Sequence, residues 1–389
     1  MKIGLVCPYS LTKGGGVQEV VKELSTELTK RGHEVAIITP QPKEPYKDEN
    51  FRVIFLGSLT DVKSPLATTI QVSASVLTDE IDAILEREKF DVLHFHEPWV
   101  PVLSRQILAR SNTVNVATFH AKLPETIATK AMTKVITPYT KPLLRYIDQI
   151  TAVSPAAAEY VSTLTDEEIM LVPNGINLKE FRRKYAEKTD RVVVSKNPTI
   201  LYVGRLEKRK GVKYLLLAFK KLLENLPQAR LQLAGDGVDR EKLKALVTEL
   251  NIPNVEFLGF VSDSQKKQLL QEADLFCSPA LFGESFGIVL LEAMATGLVT
   301  VAGNNPGYES VMTGLGQLSL VNPRDTAEFA GRLELLLTDE GLRGLWQKWA
   351  RKHVQQFDYP KVTDGYLAAY EAAMAKPTNA IRVRRESRG

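Results

Sequence analysis

The chain has 389 residues, 44% of them hydrophobic and 25% charged, with a formal net charge of +4. That length favours two domains over a single core. The composition is that of a soluble globular protein, and the slight positive balance permits contact with phosphates or an anionic membrane surface without demanding either. Nucleic acid is not among the partners expected. Cys7 and Cys277 lie in apolar runs of different halves and read as buried free thiols in a reducing compartment. No signal peptide opens the chain, and no apolar run approaches the ~20 residues that span a bilayer. The expected location is therefore cytoplasmic, or peripheral at the inner membrane face.

In chain order, 1–6 (MKIGLV) is a strand-like apolar run. Gly14, Gly15 and Gly16 follow, and then Val17, Val20, Val21, Leu24 and Leu28 recur at helical spacing. Strand, glycine loop and helix form the phosphate-cradling arrangement of a doubly wound sheet, although the GxGxxG dinucleotide fingerprint is absent. Further strands are expected over 34–39, 52–56, 90–96, 115–119, 150–153 and 169–172, with a loop over 57–65 and a helix ending near Lys89. The pattern then restarts. Strands are expected over 200–203, 231–234, 255–260, 275–278 and 299–302, helices over 212–226 and 240–250, and a basic loop, LEKRKG, over 206–211. Two successive β/α series predict an α/β protein of two doubly wound, Rossmann-like parallel sheets facing across a cleft, with ligands beyond the strands' C-terminal ends. The expected domains are 1–172, completed by a C-terminal helix over 360–375, and 173–359, joined near 179–197. The last stretch, 376–389, carries four Arg and reads as a solvated basic tail.

The most informative stretch is 279–297, PALFGESFGIVLLEAMATG, in which seven residues separate Glu284 from Glu292. Gly287 stands where a helix begins. The free N–H groups and partial positive charge of that terminus suit a phosphate, and a glycine removes the side chain that would block its approach. Glu284 falls in the preceding loop and Glu292 about 7–8 Å along the helix. Two carboxylates flanking an anion site suit a ligand with hydroxyls on both sides of a phosphate, which describes a nucleotide sugar. Arg205, directly after Gly204 at a strand end, and Lys210 form a cation pair for the diphosphate leaving group, whose charge grows as the glycosidic bond breaks. Lys208 and Arg209 read as solvated members of the same turn. His120 ends a strand (ATFH), where it can bond a sugar hydroxyl or handle the acceptor's proton. His94 and His96 share a strand face, but no third ligand has compatible spacing and no Asp-x-Asp is present. No metal is expected, and packing or acceptor contact is assigned to them.

These phrases resemble glycosyltransferase family 4, retaining enzymes of the GT-B fold, over nearly the whole chain to about residue 375. The resemblance is carried by Gly15-Gly16-Val17-Gln18, Pro173-Asn174-Gly175, Gly204-Arg205, Lys210-Gly211, Gly235-Asp236-Gly237 and the Glu284–Glu292 phrase. Cys7-Pro8-Tyr9-Ser10, His96-Glu97-Pro98, Ala117-Thr118-Phe119-His120 and 283–290 narrow it to the phosphatidylinositol mannosyltransferases within the family. The resemblance implies a metal-independent hexosyltransferase moving mannose from GDP-mannose to phosphatidylinositol or a related lipid, with no cofactor beyond the nucleotide sugar. The alternatives are a UDP-sugar-dependent family member acting on a glycan or other small acceptor, and a catalytically silent nucleotide-sugar binder. It implies that Gly15 and Gly16 with Arg205 and Lys210 hold the diphosphate, Glu284 the sugar and Glu292 the ribose. Val261 and Asp263 would border the base, and Phe286, Gly287 and Ile288 belong to the donor phrase. Tyr9, Gln18 and His120 would line the acceptor side. Such enzymes dock to membrane through a basic amphipathic segment. Here the matching region, 57–88, has only Lys63 and Arg87 as basic residues and a Ser/Thr-rich stretch, LATTIQVSASVL, which as a helix would bind membrane weakly.

Overall fold

A computed structural model describes residues 1–12, 15–43, 45–46, 48, 50–63, 69–75, 78–100, 102–122, 127–181 and 194–376. Gly14, most of the expected connection near 179–197, and the tail beyond Lys376 lie outside the described residues. The chain divides into two units, one of Met1–Gly175 with the chain from Tyr359 onward, the other Ile176–Asp358.

In the first unit the strands are β1 (Lys2–Val6), β2 (Glu34–Gln41), β3 (Val53–Lys63), β4 (Thr69–Ser75), β5 (Val92–His96), β6 (Val114–Phe119), β7 (Gln149–Ala152) and β8 (Ile169–Leu171). They form one sheet in the order β4-β3-β2-β1-β5-β6-β7-β8. All pairs are parallel except β3–β4, which are antiparallel and register Lys63 opposite Thr69. The order reverses between β1 and β5, where Ile3 pairs with Val35 on one side and Val92 on the other. Strands β5 and β6 are buried along their whole length, as expected where helices cover both faces of a parallel sheet.

Two expectations fail at this sheet's edge. Residues 57–63 are not a loop, because β3 continues to Lys63, and the described part of the Ser/Thr-rich stretch after it is not a helix but β4. The physical reason is legible in the residues: Thr69-Ile-Gln-Val-Ser-Ala-Ser75 alternates polar and apolar with a period of two, and β-branched residues favour the pleat.

The helix Gly16–Lys30 buries Val20, Val21, Leu24 and Leu28 on this sheet. The last helix, Tyr359–Met374, closes the same core, with Val362, Tyr366, Tyr370 and Ala373 packed among Ile3, Leu5, Val92 and Val116. It starts one residue before the 360 expected from sequence, and Pro360 falls in its first turn, where a missing N–H removes no helical bond.

The second unit holds β9 (Thr199–Val203), β10 (Arg230–Ala234), β11 (Val255–Gly259), β12 (Leu275–Ser278), β13 (Thr300–Gly303) and β14 (Leu320–Val321). Their order is β11-β10-β9-β12-β13-β14, all parallel, with the reversal between β9 and β12. Both units are thus Rossmann-like doubly wound sheets. In such sheets the crevice beyond the strand ends at the reversal is where ligands bind. In the first unit that point is flanked by Cys7-Pro8-Tyr9 and His96-Glu97, in the second by Gly204-Arg205 and the 279–287 loop.

Candidate active site

In the second unit, the loop after β9 turns sharply into the helix Val212–Leu222. Gly211 makes this possible: its φ is +71°, and a Cβ there would lie 2.0 Å from the carbonyl oxygen of Pro279. The basic turn therefore lies directly against the loop that carries Glu284. Leu281 N–H donates to Arg209 O at 2.8 Å, pinning the two loops together. Across that seam the Lys210 Nζ and Arg209 Nη1 each lie 2.7 Å from the same oxygen, Glu284 Oε1. Arg209 Nε also reaches Glu207 Oε2 at 3.1 Å, and Arg205 Nη1 reaches Glu207 Oε1 at 2.8 Å. The result is a charge ladder: Arg205, Glu207, Arg209, Glu284, Lys210. Burial holds the Lys210 ammonium below its ordinary pKa, with Arg209 and Arg205 adding to that and Glu284 opposing it.

Arg209 corrects the sequence reading. It is not a solvated member of the turn but the central cation of the ladder, while Lys208 is exposed as expected. In the one-turn helix Lys208–Lys210, successive residues point in different directions, and only the fold reveals which of three neighbouring cations face Glu284. Glu207 was equally unmarked. Arg205, half exposed, meets Glu207 and not Glu284.

The helix Ile288–Ala295 starts at Gly287, whose φ is +106°, and a Cβ there would lie 2.7 Å from the Tyr308 ring. Ile288 opens the helix, leaving its first N–H groups facing the loop. Phe286 is buried edge-on against Phe357 at 5.7 Å and supports the loop from below. Glu292, almost wholly buried, pairs with Lys266 Nζ at 2.7 Å, and exposed Asp263 reaches the same ammonium at 3.4 Å. Burial raises the Glu292 pKa, and Lys266 opposes the rise. Glu284 and Glu292 thus have separate cation partners. Val261 is partly buried beside the start of the helix Asp263–Glu272.

In the first unit, Gly15 caps the helix that begins at Gly16, with ordinary extended backbone. Gln18 Nε2 donates to Ser10 O at 3.3 Å, and the Tyr9 carbonyl accepts from Thr39 Oγ1 at 2.8 Å. Tyr9 and Gln18 therefore sit on one scaffold beside β1. His120 is buried, its Nε2 2.9 Å from His96 Nδ1. The His120 backbone N–H donates to Glu97 Oε1 at 2.7 Å, and the Trp99 indole donates to Glu97 Oε2. Glu97 stands at φ +52° with 1% exposure, and burial pushes its carboxyl up to about 7. In the sequence Glu97 stands out only as part of His96-Glu97-Pro98, since nothing in the pattern announces a left-handed residue at a strand end. His94 is a packing residue, bonded to Tyr370 and Thr118. Among the described residues no group of three or more His, Cys, Asp or Glu side chains is placed to hold a metal ion. No described helix is long and apolar enough to cross a membrane.

Residues 14–180 match the family model described as Glycosyltransferase Family 4, and residues 184–353 the model described as Glycosyl transferases group 1. The phosphatidyl-myo-inositol mannosyltransferase of Mycolicibacterium smegmatis is 31% identical over 383 residues, covering 95% of this chain and 94% of that protein. Its Mycobacterium tuberculosis counterpart is 30% identical, covering 95% and 97%. Among solved structures, sucrose-phosphate synthase from Thermosynechococcus elongatus superposes with a TM-score of 0.75 at 22% identity, covering 96% of this chain and 99% of that one. Anabaena HepE in complex with UDP and glucose gives 0.73 at 18%, covering 95% and 99%. With two family models together spanning most of its length and a relative matched almost end to end, this chain belongs to glycosyltransferase family 4 and is a glycosyltransferase of the GT-B fold.

Proposed function

We propose that the chain is a retaining, metal-independent hexosyltransferase that moves mannose from GDP-mannose to phosphatidylinositol or a related lipid at the cytoplasmic membrane face. The observation that carries this reading is the charge ladder. Three cations gathered on two carboxylates leave a surplus positive charge for a diphosphate. Arg205, Arg209 and Lys210 stabilise the charge that grows on the leaving phosphate. Glu284, released from part of its ion pairing as the phosphate takes the cations, turns to the hydroxyls of the transferred sugar. Glu292 and its Lys266 stand a turn further on for the ribose, with Val261 and Asp263 beside the base. The helix terminus at Gly287 and Ile288 supplies N–H groups to the same anion. Among the described residues we identify no carboxylate set as a nucleophile opposite an acid partner, as a two-step covalent mechanism needs. Transfer on the same face as the departing phosphate, with that phosphate accepting the acceptor's proton, fits the residues at hand. The mannosyl and inositol assignments rest on the named relatives.

A second reading, a UDP-sugar-dependent transferase acting on a glycan or other small acceptor, is favoured by one observation. The segment expected to dock as an amphipathic helix contains β4, paired into the sheet edge. Nucleoside diphosphate release from a panel of GDP- and UDP-sugars, with and without phosphatidylinositol liposomes, separates the two. Lipid-dependent release from GDP-mannose supports the first, and lipid-indifferent release or a UDP-sugar preference supports the second. No release from any donor would leave a silent nucleotide-sugar binder and overturn both.

A further inference from the structure

Three imidazoles lie in a row beneath the acceptor-side scaffold, and their hydrogen bonds have a definite direction. His94 and His96 have ring centroids 4.2 Å apart, His96 and His120 5.2 Å. All three are buried. The Thr151 hydroxyl has one proton and donates it to Ala117 O at 3.1 Å. Thr118 must therefore donate its own to Thr151 Oγ1, 2.6 Å away, and so accepts from His94 Nε2 at 2.6 Å. His94 is then protonated on Nε2, and its Nδ1 accepts from the Tyr370 hydroxyl at 2.8 Å. His94 is locked from both sides, with nothing to offer its neighbours.

His96 and His120 share one bond, Nδ1 to Nε2 at 2.9 Å. His96 Nε2 is buried and has no partner among the described residues. Were the shared proton on His120, the His96 proton would sit on that Nε2 as an orphaned buried donor, which folded proteins avoid more strongly than an under-used acceptor. The proton therefore sits on His96 Nδ1 and points at His120 Nε2. That fills the Nε2 lone pair of His120 and puts its single ring proton on Nδ1. Beside that ring stands the buried side chain of Asn174, whose Oδ1 has no other partner among the described residues and is close enough to act on the His120 ring proton. Glu97 fixes the other coordinate, holding the His120 backbone N–H at 2.7 Å.

We infer that His96 is a positioning residue that sets the tautomer of His120, so that His120 meets the substrate as an Nδ1–H hydrogen-bond donor and not as a proton-accepting base. The two roles left open for His120 by the sequence thus reduce to one: it bonds an oxygen of the bound substrate, and the acceptor's proton leaves by another route. The groups facing this row are His94, Glu97, Tyr366 and Tyr370, with Tyr9 close enough to feel the Glu97 charge. Among the described residues none of the three rings donates to a carboxylate, and burial holds each below the ordinary histidine pKa.

The kinetic arm of the test rests on the sugar-transfer reading, but the tautomer does not. The chain has five histidines. Histidine-labelled full-length protein at pH 7 therefore gives few ring signals in a long-range proton–nitrogen correlation spectrum, and His120→Gln and His96→Asn assign the two that matter. His120 is expected with a protonated Nδ1 and a bare, hydrogen-bonded Nε2. His96→Phe keeps the ring volume but removes the donor. It should release His120 to its other tautomer and lower kcat by about tenfold, the worth of one ordinary hydrogen bond, with little change in donor KM. His96→Asn, whose amide nitrogen stands near the place of Nδ1, should restore part of both. A wild-type His120 protonated on Nε2 or on both nitrogens would overturn the inference, as would His96→Phe leaving tautomer and kcat unchanged. If His96→Phe fails to fold, the wild-type spectrum alone decides. A wild type that releases no diphosphate yet shows the assigned tautomer would count against the transferase reading and support this one.

Discussion

Replacing Lys210 with Met separates what the charge ladder does for the fold from what it does for transfer. The Lys210 Nζ lies 2.7 Å from Glu284 Oε1 with a side chain only 15% exposed. At an effective dielectric of about 20, that pair attracts by about 6 kcal/mol. Removing one partner of a buried pair costs about 3–5 kcal/mol when the other is left uncompensated. Glu284 is not left so, because Arg209 Nη1 sits at the same 2.7 Å from the same oxygen. Burial already disfavours the Lys210 charge, so a methionine of similar reach recovers desolvation. Stability should change by no more than about 1 kcal/mol, or about 2–4 °C in Tm for a domain of this size. Transfer should suffer far more, since losing one preorganised donor at a developing anion costs roughly 10²–10³ in kcat. Diphosphate release at saturating donor and calorimetric melting measure the two. A Tm drop beyond about 8 °C with kcat within threefold of wild type would show the ladder to be structural and refute the reasoning.

Gly211→Ala combines a left-handed backbone at φ +71° with a Cβ 2.0 Å from Pro279 O; melting should show a loss of at least about 1–2 kcal/mol, and kcat should fall with it because the displaced loop carries Glu284. Glu292→Gln keeps the shape but leaves Lys266 with only exposed Asp263, and should raise the donor KM more than it lowers kcat, as steady-state kinetics would show. Acid should weaken the first unit: folded His94 and His120 ionise only near about 3 and about 4, so stability present above the unfolded value of ~6.5 is lost as pH falls toward 4. Glu97, raised to about 7 from 4.5, works in the opposite sense, losing stability as pH rises through 4.5 to 7. Urea midpoints for wild type and Glu97→Gln at pH 5 and 7.5 should therefore converge toward the lower pH, and parallel profiles would contradict this.

The long parallel strands were legible because their residues leave little choice. VLHFH and VNVATF are apolar runs too short for helices and bounded by turns, and the structure buries them completely. The phrase around Glu284 was legible because glycine and carboxylate spacing carries chemistry as well as shape. What the sequence hid depends on three-dimensional neighbours. Arg209 and Lys208 are chemically alike and adjacent, and only the seam between the basic turn and the loop after Pro279 distinguishes them. Glu97 could not be seen as a buried acid, because burial comes from β6 and Trp99 closing over it. The β3–β4 pair was missed for a different reason: its period of two was present, but the helix implied by resemblance outweighed it. The short strand β14 and the helix Thr326–Thr338 follow weaker patterns, and their place is decided by packing on the second unit's sheet and helices.

The last helix has a consequence for how the molecule is made. Tyr366 and Tyr370, fully buried, stand among strands whose residues leave the ribosome before any of the second unit. At roughly 5–20 residues per second, the first unit waits on the order of ten seconds or more for its missing wall while the whole second unit emerges. Meanwhile the second unit, continuous in sequence, has all its own core in hand. The unit that begins first finishes last, and a chain cut before Tyr359 leaves an open apolar trough in the first unit while the second is complete.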